Sequence, residues 1–201
     1  MLQPTAAFDW IIGSDEPEAA HRLAQETSWA LLDRVRSLAD PETVDRVVAL
    51  AAGPGIDDIA ELWSDAGAHS LAGQLWRIYL LHRAVEADPA GTADLFRIGR
   101  TAAVTIDPVV AGVAEPVTPD SINAMCDTIL RGVFTGDLAI ALERAASYCR
   151  VMSLGAASLA DDRDFHDEQH AGELTTRSLR YATFADELRA GAHRWRDGTL
   201  D

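Results

Sequence analysis

At 201 residues, with 48% hydrophobic and 24% charged side chains, the chain has globular composition and enough length to bury one sizeable core. A formal charge of −15 without a basic stripe argues against nucleic-acid and anionic-membrane partners. All 17 basic residues are arginine, which excludes mechanisms that need a lysine amine and also fits a GC-rich bacterial genome.

The start, MLQPTAAFDWII, has no positive n-region and no long apolar run, so residues 1–13 are expected to be an extended segment rather than a secretion signal. Ser14 and Asp15 then suit the start of a first long helix. Ala20, Leu23, Ala24, Thr27, Leu31, Val35 and Leu38 recur at steps of three and four, which predicts its inward stripe. Asp40-Pro41 restarts the chain, with the aspartate capping and the proline at the first helical position. Val44, Val47, Val48 and Ala51 face inward on the second helix, which Gly53-Pro54-Gly55 ends. Ile56, Ile59 and Trp63 mark a short third.

Residues 68–88 carry a main stripe of Leu71, Leu75, Ile78, His82 and Val85. Leu80, Leu81 and Ala84 lie off that stripe, so this helix is apolar on more than one side and is expected to be central. Asp88-Pro89 leads into Leu95, Phe96 and Ile98. Residues 101–117 are the least helical stretch; a lone strand would leave its backbone unpaired, so a helix end followed by an irregular, partly buried connection is expected. Thr118-Pro119-Asp120 opens a helix with the stripe Ile122, Met125, Ile129, Leu130, Val133 and Phe134. A turn at Gly136-Asp137 joins it to a helix with the stripe Leu138, Leu142, Ala145, Cys149 and Met152, which makes an antiparallel hairpin. Residues 156–172 read as an acidic linker or short helix. The chain closes on a helix whose seam runs Leu174, Ser178, Tyr181, Ala185, Leu188, Ala192 and Trp195.

The expected fold is therefore all-α: one domain over residues 1–201, with about eight or nine helices, a central apolar helix and a central αα-hairpin. No stretch reaches the length of a membrane span and two cysteines make no disulfide framework, so a cytoplasmic protein is expected.

Two groups of residues are candidates for chemistry. His82 sits in an apolar stripe with Glu86 one turn on, an arrangement that serves a general base and its orienting carboxylate, or equally a core histidine with a satisfied hydrogen bond. In DDRDFHDEQHAGE, residues 161–173, His166 and His170 stand at i, i+4 with Asp162 nearby, a spacing that can hold a metal. The protease pattern fails because Asp167, not glutamate, follows His166; a calcium loop fails because the same Asp167 occupies the position that needs glycine. The competing reading of this segment is solvated surface.

Cys126 and Cys149 fall near each other across the hairpin and read as buried small hydrophobes, the alternative being a redox pair. No phosphate loop, serine elbow or cofactor fingerprint is present, so no cofactor is named. Surplus apolar faces, among them Trp29, Trp76 and the C-terminal seam, point to association: a homodimer or a module that binds protein or a small ligand. The alternative is a metal-dependent or acid–base enzyme with an interhelical pocket.

Overall fold

The computed structural model describes residues 16–38, 40–52, 61–163 and 167–201. Helix is the only regular secondary structure among them, as the apolar spacing requires. In chain order the helices are α1 (Glu16–Leu38), α2 (Pro41–Ala52), α3 (Leu71–Ala87), α4 (Pro89–Ala102), α5 (Asp107–Ala111), α6 (Pro119–Thr135), α7 (Leu138–Arg163) and α8 (Glu168–Asp197). The readings made for residues 1–13, for Ser14 and Asp15, and for Ile56 and Ile59 lie outside the described residues.

Polar side chains start the helices as the sequence indicates. Asp40 accepts the Thr43 amide at 3.1 Å, Asp88 accepts Gly91 at 2.8 Å, and Thr118 and Ser121 form a reciprocal capping box. Ser70 and Asp167 do the same for α3 and α8.

The most extensive helix contact joins α7 to α8, an antiparallel pair. Leu138, Leu142, Ala145, Cys149 and Met152 are all fully buried, and most of the α8 seam is buried with them. Small residues let the two axes approach closely. At Ser153 and Ser178 each hydroxyl donates to the other residue's carbonyl, at 3.0 and 2.9 Å. Toward the other end Arg196 pairs with Glu143 at 2.6 Å.

On another side of α7 lies α4, running antiparallel to it. Glycine is required at this crossing: a Cβ on Gly99 would sit 1.9 Å from the Val151 carbonyl oxygen, and one on Gly155 would sit 2.2 Å from that of Leu95. The apolar helix α3 packs on several sides. It touches α1, α6 and α8, and buries Leu71, Leu75, Ile78, His82 and Val85. From α1, Arg36 donates to the carbonyls of Val133 and Gly136 at the α6–α7 turn.

Three details differ from the sequence reading. The buried line of α1 runs through Ala24, Ser28, Leu32 and Val35, while Leu23 and Leu38 are exposed. The Ser28 hydroxyl donates to the Gln25 carbonyl at 2.8 Å, so it enters the core already satisfied. Over 101–117 the expected helix end is there, α4 stopping at Ala102, but the connection that follows carries the single-turn helix α5, because Asp107-Pro108 restarts the helix. Of the stretch 156–172, expected as an acidic linker or short helix, residues up to Arg163 belong to α7, where Ala156 and Ala160 keep a buried face, and those from Glu168 belong to α8; residues 164–166 lie outside the described residues.

Candidate functional site

The mid-helix position of His82 on the core stripe of α3 places its imidazole under α6. The residue is 5% exposed. Its Nε2 lies 3.4 Å from Oδ1 of Asp127 on α6, and its Nδ1 lies 3.5 Å from Oε2 of Glu86. The Glu86 contact is within ionic reach but misaligned for a hydrogen bond, which leaves Nδ1 buried without one. Glu86 is itself held by Arg83 at 3.1 Å. The His82–Glu86 pairing was legible in the sequence; Asp127, 45 positions from His82, was not.

The edge of the ring opens on a pocket of about 410 Å³ lined also by Val85, Pro89, Asn123 and Cys126. The two carboxylates flank the two ring nitrogens, Nε2 facing Asp127 and Nδ1 enclosed beside Glu86. The adjacent thiol takes no part as a nucleophile: burial, followed by the negative charges of Asp127 and Glu86, pushes Cys126 up to about 12. Cys149 is raised as well, chiefly by burial, and both thiols are free.

The acidic segment offers less convergence. His166 lies outside the described residues. Asp162 is exposed near the end of α7. His170 sits half-buried in the first turn of α8, with Nδ1 3.7 Å from Glu173. Among the described residues no group of three histidines, cysteines or carboxylates could hold a metal ion.

The surplus aromatic faces are mostly used within the chain. Trp29 stacks on Trp195 with centroids 5.8 Å apart, and Trp76 stacks on Tyr79 at 5.5 Å. Among the described residues the most exposed large aliphatic side chains lie elsewhere, on the connection between α4 and α6, with Ile140, Leu23 and Leu38 exposed to a lesser degree. Val104 is 99% exposed, Val109 81% and Ile106 74%. This segment is anchored at its middle and at its base. Asp107 is buried and takes both Nε and Nη2 of Arg150, at 2.8 and 2.6 Å, while Arg100 and Glu115 form an ion pair across the flanks.

Leu154 of α7 and Leu179 of α8 are also exposed. Each follows one of the paired serines, Ser153 and Ser178. In antiparallel helices that ~100° step turns both leucines to one side of the pair. Leu154 is one helical turn past Arg150, so this is the side on which α5 sits.

With this geometry in view, comparison with known proteins adds no relative: no family model, curated protein or solved structure matches the chain.

Proposed function

We propose that the protein works by association, two copies pairing through the apolar face around Val104, Ile106 and Val109. The observation that supports it most is that three large aliphatic side chains, each at least 74% exposed, stand on a segment fixed by ion pairs. Leu154 and Leu179 extend the same side. Charge favours a second copy at this place. A surface at −15 repels its own kind, yet residues 101–114 contain one charged side chain, Asp107, and Arg150 neutralises it. A twofold pairing would lay this neutral patch on itself.

Light scattering with sedimentation equilibrium tests the reading. The wild type is expected at twice the monomer mass, and Val104→Asp with Val109→Asp at the monomer mass with an unchanged helical spectrum. A wild-type monomer at micromolar concentration overturns it.

One observation favours a second reading, acid–base catalysis at His82: the imidazole is flanked by carboxylates at 3.4 and 3.5 Å and borders a pocket of about 410 Å³. Turnover of small activated esters and amides, compared with His82→Gln, decides it. Rates that do not depend on His82 remove this reading.

A further inference from the structure

The apolar residues that lie off the core stripe of α3 build a second feature. Leu81 is buried, Leu80 half-buried and Ala84 exposed. Opposite them α8 presents Tyr181 and Phe184. Between the two helices runs a groove of about 290 Å³ whose remaining lining is Arg177 and Arg180. On α8 these residues face away from the side that carries Leu179, so the groove is separate from the proposed pairing face.

Among the described residues nine other arginines pair with carboxylates, in a chain with 32 acidic and 17 basic residues. Arg177 and Arg180 share the lack of such a partner with Arg22, Arg34, Arg36, Arg144 and Arg194, but these two line an apolar groove. The neighbouring Arg77 is committed to Glu187 at 2.6 Å and to the Gly73 carbonyl at 2.8 Å. Among the described residues no carboxylate pairs with Arg177 or Arg180. Arg177 instead lies over the Tyr181 ring, 5.8 Å from its centroid, which holds its charge at the mouth of the groove. Two uncompensated cations beside an apolar trough complement a molecule with one anionic end and one aliphatic end.

We propose that this groove binds a free medium-chain alkyl carboxylate, its chain lying along Leu80, Leu81 and Phe184 and its carboxylate held by Arg177 and Arg180. The guanidinium fork matches a carboxylate in shape as well as charge. At the ~30 Å³ that a water occupies in the liquid, the groove holds roughly ten non-hydrogen atoms, the size of octanoate.

Calorimetric titration of the full chain with octanoate, hexanoate, octanol and octylammonium tests this. Octanoate should saturate one site. Hexanoate should bind about fifteenfold more weakly, at about fourfold per buried methylene. Octanol should bind more weakly than octanoate, and octylammonium not at all. Arg177→Gln with Arg180→Gln should weaken octanoate at least about tenfold. Ala84→Phe, at an exposed position that leaves the core alone, should block the groove and abolish binding. The proposal is overturned if octanoate shows no saturable heat, if octylammonium or octanol binds as tightly, if hexanoate equals octanoate, or if Ala84→Phe binds like the wild type.

Discussion

Arg150 holds Asp107 through two nitrogens on a single carboxylate oxygen, Oδ1, and the same guanidinium reaches the Ser147 hydroxyl at 2.9 Å. Burial would raise the Asp107 carboxyl. Hydrogen bonds from Arg150 and Thr105 outweigh it and hold the group below its ordinary value. The unfolded carboxyl titrates near 3.9, and the folded one lower. The pair's contribution is therefore complete above about pH 4 and is lost as pH falls through the folded value. Asp107→Asn should lower stability by about 2 kcal/mol at pH 7, the order expected when a charged donor loses its partner. In urea melts, the gap between wild type and variant should close as pH falls toward 3. A gap that widens toward acid would contradict the sign.

Gly99→Ala should destabilise the fold by about 3 kcal/mol, because the added methyl meets the Val151 carbonyl and α7 has no slack there. Gly172→Ala is the control. Nothing lies within 4 Å of its Cβ, it is helical and it is exposed, so it should stabilise by about 0.5–1 kcal/mol. Thermal melts of the two variants should move in opposite directions.

The folded protein should be silent to thiol reagents at pH 8. Cys126 is raised to about 12 and Cys149 is raised too, and both are buried, so neither presents a thiolate. In denaturant, Ellman's reagent should count two thiols. Rapid labelling without denaturant would mean that the α3–α6–α7 contact opens.

Thr118→Ala removes one half of the capping box and should lower stability by about 1 kcal/mol, with Thr118→Ser close to wild type. Chemical denaturation measures both.

The stripes of α3, α6, α7 and α8 were legible because each of those helices buries one face along most of its length, so spacing alone identifies the inner residues. On α1 the stripe was misplaced. Leu23 and Leu38 project beyond what neighbouring helices cover, while Ser28 is fully buried. Hydrophobicity predicts neither, since coverage depends on which helix lies alongside. The same limit applies to the His82 group. Glu86 is one turn away on the same helix and could be read from the chain; Asp127 arrives through the packing of α6 on α3. Trp29, off the α1 stripe, meets Trp195 of the α8 seam, a relation between residues far apart in sequence. The connection over 101–117 is partly buried, as read, with Asp107, Ala111 and Val117 inside; that Val104, Ile106 and Val109 face outward was not legible, since nothing local separates them from core aliphatics.

The serine pair between α7 and α8 has a mechanical consequence. Sliding α8 by a single residue would swing Ser178 by ~100° and break both hydroxyl–carbonyl bonds together. The two longest helices are thus locked in register and act as a strut of constant length rather than a piston. Motion that couples one flank of the molecule to the other must pass through rotation or bending of the outer helices, because this axis cannot telescope.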